Sequence, residues 1–341
     1  MTTLTVYVTK DFDQMSQVAA ALAEERIKAC QTRKPECVLG LATGNSPTGM
    51  YKHLAKVFNS KRIDAGKTRS FNLDEYIGLP GEHAQQRILN RNSYGYFMIT
   101  ELFALLQDTF IETSVPYGVL VDQAELVKEL AAHPDHYTLQ GEKRGKAVVI
   151  NDRASGYLRE IKNNILDAYQ RKIEAAGGID LQVIGVGGRG HVAFHESGIP
   201  FTGNSMLLVK LDDNTIENAI QDGNFASREE SPQYAISMGA ELVYKARTVL
   251  LLANGARKTG PVAEALLGKV HNDVPISYGQ KYAAEGGEML YVLDEAAAAE
   301  LLQAREALSA KGYALVDLRA ESYEKVENIR FARDPKTNRL G

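Results

Sequence analysis

The sequence predicts a three-layer α/β fold, in which a doubly wound, mostly parallel sheet carries helices on both faces. Short apolar runs such as 37–42 (CVLGLA) and 248–253 (TVLLLA) lack the alternation of a strand with one face in water. We therefore expect strands that are buried on both faces. Stretches with helical spacing of apolar residues separate these runs, and that order is typical of a parallel sheet covered on both sides.

The predicted elements follow one another along the chain. A strand at 4–8 precedes a helix at 12–28, and the buried strand at 37–42 leads through a glycine-containing loop into a helix at 47–56. Proline at position 47 suits a first helical turn, where its missing N–H costs nothing. The remaining predictions are strands at 69–73, 181–186, 206–211, 248–253 and 288–293, and helices at 92–105, with Asn92 or Ser93 as N-cap, and 257–267.

The length of 341 residues suits one large or two modest domains. We expect one α/β domain over 1–300, interrupted near 120–176 by a helical and polar insertion that contains LQGEKRGK (139–146). A charged C-terminal appendage is expected over 301–341.

Composition and charge exclude several classes of protein. A formal net charge of -4 provides no excess of positive charge for binding nucleic acid or an anionic membrane. No apolar run approaches the roughly 20 residues that span a bilayer, and the N-terminus lacks the pattern of a signal peptide. The two cysteines, Cys30 and Cys37, form neither a disulfide framework nor a zinc pattern, so we expect a cytoplasmic protein. The oligomeric state is left open, with a homo-oligomer as one option.

The first candidate site is the strand-to-helix loop Thr43-Gly44-Asn45-Ser46. Backbone N–H groups and the positive end of a helix dipole meet in such a loop, which favours binding of an anion such as phosphate. The alternative is a plain turn with a capping serine. The loop is not a Walker A motif, because no Gly-Lys-Ser/Thr follows.

Two adjacent carboxylates, Asp74 and Glu75, form the second candidate site directly after the strand at 69–73. Ligands of open α/β sheets bind beyond the carboxyl ends of the strands. A carboxylate there can serve as a general base when its surroundings tune its pKa. A solvated acidic turn is the alternative.

The segment GVGGRG (185–190) matches the dinucleotide-binding pattern G-x-G-x-x-G, and Asp212 and Asp213 follow about 20 residues on. That pattern requires a helix starting at the last glycine. The crossover holds Pro200 between two glycines, and an interior proline costs a helix about 3 kcal/mol or more. We therefore expect no dinucleotide, and no other cofactor is predicted.

The same segment presents His191, His195 and Glu196 on a loop. A carboxylate that accepts one ring N–H fixes the tautomer of a histidine and raises its basicity, so we expect Glu196 to orient His191. A histidine that only satisfies its own hydrogen bonds is the alternative. No metal is expected, because no third ligand stands at a useful spacing.

Arg257 and Lys258 form the fourth candidate site, after the strand at 248–253. Cations are unfavourable at a helix start unless they meet an anion there, and an ordinary solvated pair is the alternative. Each of the four candidates follows a predicted strand. A parallel sheet would bring all of them to one edge.

Three segments resemble the signatures of glucosamine-6-phosphate deaminases: LGLATGNSPTGMYKHL (39–54), FNLDEYIGLPGEH (71–83) and GVGGRGHVAFHESG (185–198). NSYGYFM (92–98) and residues 234–258 also fit, and the resemblance spans the predicted main domain outside the insertion. The wider superfamily also holds the 6-phosphogluconolactonases, which share the Gly-rich loops but not the Phe-Asn-x-Asp-Glu-Tyr signature.

The resemblance implies a metal-free aldose–ketose isomerisation coupled to deamination, with a small sugar phosphate such as glucosamine 6-phosphate as substrate. Asp74 would move a proton between C2 and C1, and His191, oriented by Glu196, would open the pyranose ring. The residues implied to hold the phosphate are Thr43, Gly44, Asn45, Ser46 and Lys258.

The sequence departs from the family pattern at several positions. Arg189 stands where the family has an aspartate, and we expect it to pair with Glu196 or with an acidic sugar. A phosphate-gripping arginine of the family falls near Ile220, so Arg228 or Arg257 would have to replace it. The basic residues of the family's activator site are not evident, and no activation by N-acetylglucosamine 6-phosphate is expected.

Arg189, His195 and Glu75 are therefore candidates for tuning the choice of substrate. Two alternatives stay open: another sugar-phosphate isomerase or lactonase of the superfamily, and a sugar-phosphate-binding protein that has lost catalysis through Arg189.

Overall fold

The computed structural model of the protein describes residues 4–221 and 223–325. The strands, numbered in chain order, are β1 (Leu4–Thr9), β2 (Cys37–Leu41), β3 (Thr68–Asn72), β4 (Asp74–Ile77), β5 (Glu112–Ser114), β6 (Tyr137–Gln140), β7 (Lys146–Ile150), β8 (Leu181–Ile184), β9 (Met206–Lys210), β10 (Tyr234–Met238), β11 (Thr248–Ala253), β12 (Glu288–Asp294) and β13 (Ala314–Asp317). Within these ranges eight strands form one sheet in the order β13-β1-β12-β11-β8-β2-β3-β5. Its neighbouring strands pair in parallel, which confirms the predicted fold class.

A second, antiparallel sheet has the order β4-β10-β9-β7-β6. The predicted strand at 206–211 lies here as β9, so its expected place among the parallel strands was wrong. Leu208 packs into one hydrophobic cluster, while Leu207 and Val209 pack into another. Because β9 is thus buried on both faces, its sequence has the same continuous apolar run as a parallel strand, and hydropathy alone does not reveal its direction.

The helices lie between the strands, as the alternating pattern predicts. They are α1 (Phe12–Arg33), α2 (Thr48–Asn59), α3 (Ala84–Ile88), α4 (Tyr94–Glu101), α5 (Gln123–Ala132), α6 (Gly156–Glu160), α7 (Asp167–Ala175), α8 (Asp213–Gln221), α9 (Ala240–Val243), α10 (Thr259–Leu267), α11 (Tyr278–Ala284), α12 (Ala299–Gln303) and α13 (Arg305–Ala310). At the start of α4 the side chain of Ser93 accepts hydrogen bonds from two backbone N–H groups, as an N-cap does. No helix in the described part of the chain has the length and apolar character needed to span a membrane.

The predicted insertion and tail both contribute to the sheets. The insertion supplies α5 and the β6–β7 hairpin, and β7 joins the second sheet by pairing with β9. In the tail, Ala314–Asp317 pairs in parallel with β1 at the margin of the main sheet. Residues 326–341 of the expected appendage lie outside the described residues. The domain boundaries stay a prediction.

Four neighbouring strands of the main sheet, β11, β8, β2 and β3, precede the four candidate segments. They run parallel, with Leu41 beside Asn72 and Leu251 beside Ile184 in the register. Their carboxyl ends therefore meet at one edge, which we call the carboxyl edge. Ligands of doubly wound sheets bind at such an edge.

Candidate active site

A cavity of about 540 Å³ opens at the carboxyl edge. This volume suits a small-molecule ligand. Its wall includes the predicted site residues Thr43, Gly44, Asn45, Ser46, Asp74, His191 and Lys258. Four other predicted residues, Glu75, Arg189, His195 and Glu196, stand behind or beside the wall.

Asp74 is buried in the wall, with 6% of its surface exposed. It begins β4 directly after β3, whose last residue, Asn72, is held by two hydrogen bonds. The side chain of Asn72 donates to the carbonyl of Leu41 at 2.9 Å, and the Tyr169 hydroxyl donates to the carbonyl of Asn72 at 2.8 Å. Burial, and second the nearby Glu75 charge, raise the pKa of Asp74 well above its usual value.

Glu75 lies behind the wall rather than in it. Its carboxylate accepts hydrogen bonds from the Ser93 hydroxyl at 2.7 Å and from the backbone N–H groups of Tyr76, Tyr94 and Gly95 at 2.9, 3.1 and 3.1 Å. Burial raises the pKa of Glu75 to about 6, although these hydrogen bonds favour the charged form. Glu75 thus fixes the start of α4, and it can influence the chemistry through its charge beside Asp74.

Glu75→Gln is expected to shift the acid limb of the kcat/KM profile to lower pH. The substitution removes the neighbouring charge, so the pKa of Asp74 falls and the base stays ionised at lower pH. We expect about 1–3 kcal/mol of destabilisation, because an amide leaves some of the donors around it without an acceptor. The profile is measured in steady state and the stability by denaturant unfolding.

Glu101→Gln is the control. It changes the carboxylate at the end of α4 that pairs with Lys52, and it should leave the acid limb in place. The pH dependence of wild-type stability gives a second test of the Glu75 environment. Folding raises the Glu75 pKa from 4.5 to about 6, so its contribution to stability is lost as the pH rises through that window. Glu75→Gln should lack this component. An unmoved acid limb would show that the Glu75 charge does not act on the base.

His191 and Glu196 form the expected pair. Nδ1 of His191 lies 3.0 Å from Oε2 of Glu196, and Oε1 of Glu196 accepts from the backbone N–H of Asp212 at 3.2 Å. Because a carboxylate only accepts hydrogen bonds, Nδ1 carries the hydrogen and Nε2 is the basic nitrogen. A Cβ atom on Gly187 would lie 1.3 Å from Cδ2 of His191, so only glycine leaves room for the ring.

His195 lies outside the wall and is 1% exposed. Its Nδ1 accepts from the backbone N–H of Ala240 at 3.0 Å, and its Nε2 lies 3.1 Å from the carbonyl of Ile199. Burial lowers the pKa of His195 to about 4, so the ring is neutral. Both ring nitrogens join two backbone segments, which is the structural alternative considered for this loop.

Arg189 is half exposed, and its Nη1 lies 3.9 Å from Oδ2 of Asp212. It therefore pairs with Asp212 rather than with Glu196, which was one of its expected partners. Arg228 pairs with Asp213 and is also absent from the wall, whereas Arg257 lines the cavity. Of the two arginines considered as replacements in the phosphate grip, Arg257 is the one positioned to reach a ligand.

Arg189→Ala is expected to leave kcat and KM within about threefold of wild type, because exposed ion pairs contribute little. Steady-state kinetics with glucosamine 6-phosphate, the substrate that the sequence resemblance implies, measure both constants. Arg257→Ala is the informative comparison, since it removes a cation from the wall. A loss for Arg189→Ala as large as that for Arg257→Ala would mean that Arg189 contacts the substrate.

The loop after β2 is shaped for an anion. Gly44 adopts a φ of 90°, which favours glycine, and the chain then enters α2 at Thr48. The Ser46 hydroxyl donates to Oδ1 of Asn254 at 2.7 Å, which ties this loop to the loop that carries Lys258. N–H groups at a helix start and cations from the second loop therefore line one side of the cavity.

Several wall residues were missed from the sequence. Thr215 and Asn218 come from α8, which follows a strand of the second sheet, and Phe194 lies inside the His191 loop. Tyr94 stacks on Phe194, with ring centroids 5.8 Å apart. Tyr94 and Phe194 had a signal, since they belong to the segments NSYGYFM (92–98) and GVGGRGHVAFHESG (185–198).

Residues 185–205, all of which the structure describes, contain no helix. The dinucleotide-binding arrangement therefore lacks the helix it needs, as predicted from Pro200 in the crossover. The loop instead folds back on itself, with the N–H of His195 donating to the carbonyl of Val192 at 2.9 Å. This turn brings Glu196 against His191.

Known proteins resemble the chain over most of its length. A glucosamine-6-phosphate deaminase of Clostridium botulinum (strain Loch Maree / Type A3) is 32% identical over 296 residues, covering 87% of this chain and 98% of the relative. A solved monomeric glucosamine-6-phosphate deaminase superposes with a TM-score of 0.64 at 24% identity, covering 87% of this chain and 99% of that one. No protein-family model matches.

A 6-phosphogluconolactonase from Plasmodium vivax shares the fold, with a TM-score of 0.58 at 14% identity over 89% of this chain and 95% of that one. The protein is thus an α/β enzyme, and its candidate site lies at the carboxyl edge of a parallel sheet. It belongs to the glucosamine-6-phosphate deaminase family.

Proposed function

We propose that the protein converts glucosamine 6-phosphate and water to fructose 6-phosphate and ammonia. The observation that carries the proposal is the content of one cavity. A buried carboxylate of raised pKa, a histidine paired with Glu196 behind it, and a strand-to-helix loop beside two cations form its wall. The 6-phosphogluconolactonase likeness extends to the fold alone, and the deaminase-like segment around Asp74 favours the isomerising reaction.

The phosphate group binds at the start of α2, against the loop of Thr43, Gly44, Asn45 and Ser46. Lys258 supplies the positive charge from the neighbouring loop. Binding the phosphate at one end of the cavity fixes the position of the sugar relative to the catalytic groups. Such positioning is a large part of catalysis for a substrate with a remote charged handle.

Ring opening is the first chemical step, and His191 catalyses it. Opening requires a proton to leave the C1 hydroxyl and a proton to reach the ring oxygen. A histidine can take and give a proton near neutral pH. Glu196 holds Nδ1–H, so Nε2 is the nitrogen available for the transfer.

Asp74 then takes the proton from C2 of the open-chain aldose while the aldehyde oxygen gains a proton, which gives an enolamine. Asp74 returns its proton to C1 as the nitrogen loses one. The resulting ketimine adds water and releases ammonia, leaving fructose 6-phosphate. A carboxyl group whose pKa is raised by burial is a better base than one in water and remains able to return the proton. The reaction needs no redox cofactor.

The test is direct. Purified protein is incubated with glucosamine 6-phosphate, and ammonia and fructose 6-phosphate are assayed together. We expect both products in equal amounts, and no 6-phosphogluconate from 6-phosphogluconolactone supplied in parallel. Absence of both products, with the Asp74→Asn variant at the same background, would falsify the proposal. Faster hydrolysis of the lactone would assign the lactonase activity instead.

A further inference from the structure

The loop between β6 and β7, residues 141–145, lies in the insertion and packs against the His191–Glu196 pair; we call it the hairpin loop. A Cβ atom on Gly145 would lie 2.7 Å from Cβ and 2.8 Å from Cγ of Glu196. The backbone of the hairpin loop therefore presses directly on the Glu196 side chain. No other rotamer of Glu196 can occupy the space taken by Gly145.

Asp212 links the hairpin loop to Glu196. Its carboxylate accepts from the backbone N–H of Gly145 at 3.1 Å and from that of Asn214 at 2.8 Å. Its own N–H donates to Glu196 Oε1 at 3.2 Å. Glu196 is thus held at three points: one oxygen on Asp212, the other on His191, and the stem against Gly145.

The three residues before Gly145 also anchor the hairpin loop. The N–H of Glu142 donates to the carbonyl of Gly198 at 3.2 Å, and Nζ of Lys143 lies 3.4 Å from Oδ2 of Asp273. Arg144 forms an ion pair with Asp213. These anchors connect the hairpin loop to Gly198, two residues after Glu196, and to the segments that carry Asp213 and Asp273.

We propose that the hairpin loop is a positioning element of the active site, in which Gly145 and Asp212 fix the rotamer of Glu196. Through Glu196 they fix the tautomer and orientation of His191. The inference rests on the proposed function in one respect: His191 is taken to open the sugar ring. The insertion then contributes to catalysis by positioning, since its hairpin loop packs against Glu196, the partner of His191.

Gly145→Ala tests the contact. Gly145 does not adopt a left-handed backbone conformation, and the three atoms nearest to the new methyl group belong to Glu196 and Asp212. We expect kcat to fall about 10- to 100-fold with KM within about threefold, as for a displaced catalytic group. Leu139→Ala, in β6 of the same hairpin and 53% exposed, is the control and should keep wild-type kinetics.

A double-mutant cycle separates positioning from general damage. In a Glu196→Ala background, Gly145→Ala should cost less than about threefold, because the side chain through which it acts is gone. Equal losses in both backgrounds would overturn the inference.

The His191 Nδ1–H proton gives a readout that requires no substrate. Its downfield NMR resonance, assigned by its loss in His191→Asn, should be present in wild type and Leu139→Ala and shifted or lost in Gly145→Ala. If Gly145→Ala does not fold, Asp212→Asn replaces it, since its single carbonyl oxygen cannot serve both N–H donors. An unchanged resonance overturns the positioning role, even if glucosamine 6-phosphate is turned over; a changed resonance supports it, even if another sugar phosphate is the substrate.

Discussion

Asp74→Asn is expected to lower kcat for glucosamine 6-phosphate by about 1000-fold, within the range that general bases contribute. The amide has the size of the carboxylate but cannot take the proton from C2. KM should change little, because the proposed phosphate site, the loop 43–46 with Lys258, occupies another part of the wall. Coupled assay of fructose 6-phosphate and of ammonia measures the loss.

Exchange of the C2 hydrogen with D2O, followed by NMR, isolates the step that we propose for Asp74. The exchange should disappear together with turnover. Asp108→Asn, an exposed carboxylate that pairs with Lys61 far from the wall, serves as the matched control and should retain full activity. Retention of C2 exchange in Asp74→Asn at more than a tenth of the wild-type rate would assign the base to another group.

That the candidate residues share one cavity could be predicted from the sequence because polar loops follow apolar strands. Each of the four candidate segments stands after a strand of the central part of the main sheet, and parallel strands bring their carboxyl ends together. This argument needs only strand type and order. It does not depend on side-chain orientation.

The roles of adjacent residues were harder to predict, as Asp74 and Glu75 show. Both belong to β4, and successive side chains of a strand point to opposite faces. Asp74 therefore faces the cavity while Glu75 points back to the start of α4. The sequence analysis placed 74–75 directly after a strand and predicted no strand there, so this alternation was not available to separate the carboxylate in the cavity wall from the one at the start of α4.

His191 and His195 pose the same problem on a loop, where no periodicity applies. Glu196 lies in the same loop as His191 and was predicted as its partner. The partners farther along the chain, Asp212 for Glu196 and the N–H of Ala240 for His195, were not. The insertion adds a partner of this kind, since the hairpin loop reaches Glu196 from about 50 residues earlier in the chain. Such contacts follow from the packing of the second sheet, whose antiparallel order was not foreseen.

His191→Asn is expected to lower kcat by about 100-fold or more, because ring opening loses its acid–base group. The asparagine amide can still accept or donate a hydrogen bond but cannot transfer a proton near neutral pH. Glu196→Gln should cost less, since the imidazole remains and only its orienting partner is weakened. The loss of kcat should therefore be larger when the proton-transferring group is removed than when only the orientation of the imidazole is weakened.

An acyclic analogue, 2-amino-2-deoxyglucitol 6-phosphate, distinguishes ring opening from binding. It presents the phosphate and the amino group but has no ring to open. His191→Asn should bind it within about threefold of wild type, measured by calorimetry, while turnover of the cyclic substrate collapses. Asp74→Asn should likewise bind the analogue but lose turnover. Of the two variants, only His191→Asn should keep a residual activity, in proportion to the small open-chain fraction of the substrate. Equal weakening of analogue binding and of turnover would place His191 in substrate binding rather than in ring opening.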